Sequence, residues 1–325
     1  MNAAIELGLL YGVMALGVYL TFRVLNFPDL TVDGSFTTGA AVAASLILQG
    51  VPAPVATLAG AASGLVAGTV TGLLYTKGKI DGLLAGILTM IALWSINLRI
   101  MGKSNLPLLR EETVMTPLRE NGLIGGPGAI LVFAILVLVI KFAIDWFLGT
   151  DRGLAIQATG DNDQMIRSFG VNTDGTTILT LALSNGLVAL CGALVAQYQG
   201  FADISMGIGL ILVGLASVII GQAILSGRSV MVSTLAVIVG AIVYRLVIFF
   251  ALAGGLDPND MKLVTAGLVV AALLLPRWGF LKKLPRLRIG GGRSTFEMPD
   301  AAAPASSDAA AAEPEPELAS TASAK

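Results

Sequence analysis

Histidine is absent from this chain of 325 residues, and cysteine occurs once, as Cys191. The first absence removes the commonest metal ligand and the commonest proton relay near neutral pH. The second rules out an intramolecular disulfide. Charge is also scarce: Asp, Glu, Lys and Arg together make up 13% of the chain, against about 25% in soluble domains. No GxxxxGK[ST] motif occurs, and LSGRS at 225–229 lacks the residues to cradle a phosphate. No triad or metal cluster is found and the missing histidines count against both, so neither catalytic residues, a metal site nor a cofactor is expected. The chain is not an enzyme on its own, and no nucleic-acid partner is expected. What is abundant is apolar. Hydrophobic residues make up 55%, the composition of an all-α, polytopic membrane protein embedded in a lipid bilayer. The first apolar run has neither the basic start nor the cleavage pattern of a signal peptide, and is read as a retained helix.

A spanning helix needs about 20 mostly apolar residues. Nine stretches qualify, within a range of 8–10: about 3–24, 33–49, 53–76, 83–101, 124–147, 176–198, 207–225, 230–253 and 262–276. Asp33, Gly34 and Gly39 interrupt the second, which is expected to be a broken helix. Gly207, Gly209 and Gly214 interrupt the seventh, and a re-entrant piece near 26–40 is a further option. Broken helices are tolerated in a membrane only where protein or a cavity satisfies the backbone. Residues 1–276 thus form the transmembrane domain, 277–298 a basic juxtamembrane segment, and 299–325, rich in Ala, Pro, Ser and Glu, a disordered tail.

Basic residues orient the bundle. Arg23, Lys77, Lys79, Arg152, Arg167 and Arg228 fall at alternate loops, on the side that also receives Arg277, Lys282, Lys283, Arg286, Arg288 and Arg293. The positive-inside rule puts these loops and the C-terminus in the cytoplasm of a cell whose plasma membrane holds the chain. Gly60, Gly64, Gly68 and Gly72 recur every fourth position, with Ala56 extending the row. That spacing lays a smooth groove for close helix packing.

The longest internal polar stretch on the cytoplasmic side is 151–173, DRGLAIQATGDNDQMIRSFGVNT. It reads as a short amphipathic helix centred on 161–170, and composition alone does not separate it from an ordinary loop. Asp161 or Asn162 can cap it. Met165, Ile166 and Phe169 can fill a partner's apolar groove, and Gly170 can end it in a left-handed conformation.

The order of these features resembles the permease family of ABC importers for branched-chain amino acids and related solutes. NFPDLTVDGSF (Asn26 to Phe36) resembles the family's turn after the first helix. Gly153, Ala158, Gly160, Asp161, Asn162, Ser168, Gly170, Val171 and Asn172 resemble its coupling-helix loop. The family typically has His-Gly-Glu where this chain has Leu30, Thr31 and their neighbours. That departure is closer to permeases assigned to tryptophan and to uncharacterised solutes. The resemblance implies import of a small organic solute, an amino acid. It also implies a separate cytoplasmic ABC ATPase, an extracytoplasmic solute-binding protein, and pairing of the permease with itself or a close homologue. The outer loop 102–123, with Arg110, Glu111, Glu112 and Arg119, is either the landing site of the binding protein or a solvated face.

Ionisable groups within spans are costly and therefore functional candidates. Arg99 and Arg245 lie about 16 residues, or roughly 24 Å, from the cytoplasmic ends of their helices. They either meet a carboxylate-bearing solute or snorkel outward, and Glu6 could pair with one of them. Lys141 and Asp145, at i, i+4, read as a structural pair. Asp33 is either a cap or a path-lining residue. Asn97, Ser184, Asn185, Gln197 and Gln222 are more often interhelical hydrogen bonders than ligands; of these, Asn97, Asn185 and Gln222 join Asp33, Arg99 and Arg245 as path candidates. An ion-coupled carrier is the first alternative. It predicts acids or histidines along the path, and the mid-membrane stretches hold almost none. A membrane subunit without transport is the second, and it has no use for a docking loop.

Overall fold

Proline is kept out of the interior of every long apolar run: Pro54 and Pro127 stand in first turns, where a missing N–H costs nothing. The computed structural model describes residues 1–225, 229–255 and 263–270. Its helices are α1 (Asn2–Tyr19, continued by a π-turn over Leu20–Val24), α2 (Thr31–Leu48), α3 (Ala53–Thr76), α4 (Gly82–Met101), the short α5 (Thr116–Glu120), α6 (Pro127–Leu148), α7 (Asp151–Asp161), α8 (Asp163–Ser168), α9 (Thr173–Gln199), α10 (Leu210–Ile224) and α11 (Val230–Ala253). Among the described residues, seven of these are long and apolar enough to cross a membrane: α1 with its π-turn, α2, α3, α4, α6, α9 and α11.

Three expectations need correction. α2 is continuous, with Asp33 in its first turn and Gly34 and Gly39 turned inward, so these residues do not break it. Non-helical backbone comes just before α2, at 25–30, and not across 26–40. The seventh expected span is cut to the 15 residues of α10, because 204–209 forms turns. Residues 263–270 of the ninth are helical; 271–276, the basic segment 277–298 and the tail 299–325 lie outside the described residues.

α9 is the axis of the bundle and packs on α1, α2 and α3. Glycine sets the distance. A Cβ at Gly64 or Gly68 would lie 2.3 or 2.1 Å from the Asn185 or Leu181 carbonyl oxygen, and one at Gly39 2.0 Å from that of Ala189. α3 and α2 therefore meet α9 backbone to backbone. Without a hydrophobic effect between helices in lipid, this close van der Waals contact drives association. Large side chains fill the remaining centre, with Leu10, Met14, Leu16 and Phe36 fully buried.

One end of the bundle carries the turns at 25–30, 77–81 and 149–172. The other end carries 49–52, 102–126 and 200–209. At this second end β1 (Asn105–Pro107) pairs antiparallel with β2 (Phe201–Asp203), with Leu106 opposite Ala202. Partial burial works to raise the Asp203 carboxyl, but hydrogen bonds from Ser205 and Asn105 outweigh it and hold it below the usual aspartate range. Glu6 does not meet an arginine. It is buried, accepts from the Tyr198 hydroxyl (2.7 Å) and the Gly125 N–H (2.9 Å), and pins the start of α1 to the turn before α6.

Lys141 and Asp145 form an ion pair of 2.6 Å, with side chains 6% and 5% exposed. Thr234 of α11 donates to the other carboxylate oxygen at 2.7 Å. Removing one member leaves a buried charge unpaired, at a cost of about 3–5 kcal/mol. Lys141→Met is accordingly expected to lower the thermal midpoint of the detergent-purified protein. The double variant Lys141→Met, Asp145→Leu should regain most of the loss. Equal midpoints for wild type and Lys141→Met would show that the pair contributes nothing.

Candidate functional site: a membrane cavity and a docking surface

α2 begins inside the bundle because its N-terminus is satisfied there by side chains. Asp29, 2% exposed, accepts the Thr31 N–H (2.9 Å) and an Asn185 amide N–H (2.7 Å). Asn185 in turn accepts from the Ser35 hydroxyl at 2.6 Å and donates to the Leu181 carbonyl at 2.9 Å. The Thr31 and Thr71 hydroxyls bond at 2.8 Å. Asn185 is thus a bonded pin between α2 and α9, and it does not line the cavity described next. Two acids, Asp29 and Asp33, are carried into the bundle interior by this arrangement, where the sequence suggested almost none.

Asp33 sits one turn further on and reaches across to α10. Its carboxylate accepts the Gly209 N–H (2.7 Å) and the Ile211 N–H (2.8 Å), the orphan donors of a helix that starts within the bundle. Gly209 adopts φ +84°, which frees its N–H to point at the carboxylate. Gly207 lets the turn touch α2, since a Cβ there would lie 2.0 Å from the Asp33 carbonyl oxygen.

Between α2, α4 and this turn lies a cavity of about 330 Å³. Asp33 and Thr37 line it from α2, Met90, Trp94 and Asn97 from α4, and Ile208 from the turn. Met90 and Asn97 stand about 12 and 22 Å along α4 from its first residue, in the middle and far half of a spanning helix. Asn97 is 1% exposed, and its Oδ1 is buried without a hydrogen-bond partner. The structure brings Asp33 and Asn97 to one space and places the other path candidates elsewhere. Arg99 faces outward from α4, and Gln222 is half-buried on α10. Arg245 lies over the Tyr11 ring at 3.8 Å with its Nε buried and unbonded. Thr37, Met90 and Trp94 were missed in the sequence, although Met90, Trp94 and Asn97 fall at i, i+4, i+7, one face of a helix.

The 151–173 segment forms two helices and not one. α7 runs to Asp161, which ends it without capping. Asn162, extended at φ −157°, caps α8 by accepting the Met165 N–H at 2.9 Å. α7 is bound to the bundle: Gly153 packs on the Phe147 carbonyl, Gly160 on that of Val24, and the Thr159 and Thr176 hydroxyls bond at 3.1 Å. α8 buries none of its residues, and Met165 and Phe169 are 53% and 71% exposed beside a half-buried Ile166. Gly170 follows at φ +84°. Arg167 holds the element in place through Thr173 (2.7 Å) and Asp174 (3.0 Å), which Lys77 also reaches at 3.4 Å. Loss of the cap costs about 1 kcal/mol. Asn162→Ala should therefore speed amide exchange in α8 about fivefold, by mass spectrometry, with α7 unchanged; equal rates in α8 would deny the cap its role.

Residues 2–274 match the family described as branched-chain amino acid transport system/permease component. The chain belongs to this permease family. Family members are ABC transporter permeases, multi-pass membrane proteins that work with ATPase and binding-protein partners. The permease is 44% identical over 265 residues to a tyrosine transport system permease protein of Clostridioides difficile (strain R20291), covering 82% of this chain and 87% of that one. It is 33% identical to an uncharacterized protein of Rickettsia prowazekii (strain Madrid E), covering 80% of this chain and 92% of the other. It is 27% identical to the ribose import permease protein of Escherichia coli (strain K12), covering 81% of each. No solved structure matches the permease.

Proposed function

We propose that this permease is the membrane subunit of a binding-protein-dependent importer of an amino acid. The carrying observation is the 44% identity, over most of both chains, to a permease named for tyrosine transport, against 26–27% to permeases named for galactofuranose and ribose. In this reading the end bearing Lys77, Lys79 and α7–α8 faces the cytoplasm, with the C-terminus. Two permease chains sit on two ATPases, and Met165, Ile166 and Phe169 are the apolar contacts to them. A binding protein lands at the opposite end, over 102–123. Closure of the ATPases pushes α8, α7 passes the movement to α1 and α6, and the bundle alternates its access.

The test is uptake by a strain deleted for the gene. Loss of labelled tyrosine uptake, restored by the gene and abolished by vanadate, is the expected result. Unchanged amino-acid uptake together with lost ribose uptake would move the substrate to the sugars. Uptake that resists vanadate and collapses with an uncoupler would identify an ion-driven carrier instead.

A further inference from the structure

Behind the exposed side chains of α8 lies a second cavity, of about 560 Å³, within the range of small-molecule sites. The turn after α1, the turn before α4, α8 and the start of α9 enclose it. It shares no lining residue with the cavity between α2 and α4. Asn26 (φ +57°) and Lys79 (φ +54°) both line it, the two non-glycine residues at positive φ among the described residues. Backbone held in this region is strained, and such strain gathers at ligand sites and switches. Thr177, 6% exposed, belongs to the buried part of the wall. Its hydroxyl makes no hydrogen bond among the described residues, yet it is not sealed off.

Charge decides what this space accepts. Lys79 makes neither a hydrogen bond nor an ion pair among the described residues, though its charge reaches Asp174. Asp174 is already held by Lys77 and Arg167, and Asp81 caps α4. Asp163 has only a 3.7 Å contact with Arg167. The charged groups left to a ligand are thus one ammonium and one carboxylate, with the Thr177 hydroxyl in the same wall. Phe27 and Tyr75, edge to face at 5.0 Å, add an aromatic surface. A phosphate or nucleotide would meet the carboxylates of Asp81, Asp163 and Asp174. A simple amine leaves Lys79 unanswered, and an amine-free acid leaves Asp163. A sugar brings charge to neither, and hydrogen bonds between ionised partners are roughly twice as strong as neutral ones. An amino acid is matched at both ends. We propose that this cavity is a regulatory site for a zwitterionic amino acid, the imported solute included. The ligand's carboxylate meets Lys79 and Thr177, its ammonium meets Asp163, and its apolar body lies on Phe27 and Tyr75. Held between Asp163 and Lys79, it ties α8 to the turn between α3 and α4. It thereby resists the push on α8 and slows import as the solute accumulates. That regulatory meaning rests on the amino-acid import reading.

The probe is L-tyrosine, added to the full chain in lipid nanodiscs while amide exchange is followed by mass spectrometry. Exchange over 163–168 is expected to slow in a saturable way. Tyramine, which lacks the carboxylate, and 3-(4-hydroxyphenyl)propionate, which lacks the ammonium, should each need at least about tenfold higher concentrations. D-ribose and inorganic phosphate should have no effect. Lys79→Gln and Thr177→Val should each raise the half-saturating tyrosine concentration about tenfold, while eluting as single symmetric peaks in gel filtration. Absence of saturable protection, equal protection by either one-charge analogue, or unchanged protection in both variants would overturn the inference. Uptake tests the regulatory half. Preloading cells with unlabelled tyrosine should slow labelled uptake severalfold through the wild-type permease and not through Lys79→Gln. Equal slowing in both would overturn the regulatory role. The two readings fail separately: tyrosine import by a permease whose α8 ignores tyrosine would sink this inference alone. Protection of α8 without loss of tyrosine uptake in the deletion strain would sink the import reading alone.

Discussion

Replacing Gly68 with leucine is expected to abolish the folded bundle. Even a Cβ at this position would lie 2.1 Å from the Leu181 carbonyl oxygen and 2.7 Å from its carbon. The obstacle is the backbone of another helix, which cannot turn aside as a side chain does. α3 would have to retreat along its whole length, and the close contacts at Gly60, Gly64 and Gly72 would be lost with it. Ordinary overpacking costs about 1–3 kcal/mol, and more where nothing can yield. Dispersion contacts fall off steeply with such a gap. The check is fluorescence-detected gel filtration of a tagged chain from whole membranes. Gly68→Leu should lose the main peak, whereas Val66→Leu, at a position 64% exposed on the same helix, should keep it. A normal peak for Gly68→Leu would refute the backbone-to-backbone packing of α3 on α9.

The second large effect concerns transport and not folding. Met165, on a helix with no buried residue, and Phe169, directly after that helix, are 53% and 71% exposed. Changing both to aspartate should therefore leave the bundle intact while making the apolar contacts unavailable to a partner. Hot-spot contacts at an interface are each worth about 2 kcal/mol or more, and losing two with added charge should separate the subunits. Uptake is expected to fall to that of the deletion strain at unchanged membrane abundance, and the ATPase should no longer co-purify. The double leucine variant should retain both. Full uptake by the aspartate variant would remove α8 from the coupling path.

These expectations differ in how far they could be read from the chain. The Gly60–Gly72 row and the Lys141–Asp145 spacing are local patterns, and in both cases helical periodicity alone identifies the face or the pair. A cap at Asp161 or Asn162 was also legible, and the structure gives it to Asn162, whose side chain accepts from the N–H three residues on. The depth of α2 was not. It depends on Asp29 meeting Asn185 and on Asp33 meeting Gly209, partners 156 and 176 residues away. Without those bonds, Asp33 and two glycines in an apolar run read as a break. With them the helix continues, and the interruption is moved to the start of α10. Glu6 shows the same limit: an arginine was the natural guess from charge, and the partner is Tyr198, 192 residues distant. The split of α7 from α8 was missed because the π-turn backbone that receives Gly160 is not visible in the spacing of the 151–173 segment.

The glycine contacts also divide the molecule mechanically. Helices that touch through their carbonyls have no intervening side chains to change rotamer, so α2, α3 and α9 resist shear and behave as one post. α4 leans on that post along a single stripe, Gly82, Ala85, Gly86, Thr89, Leu93 and Asn97. Asp33 belongs to the post, while Trp94 and Asn97 belong to α4, so a shift of α4 against the post would be read as a change in the separation of these side chains.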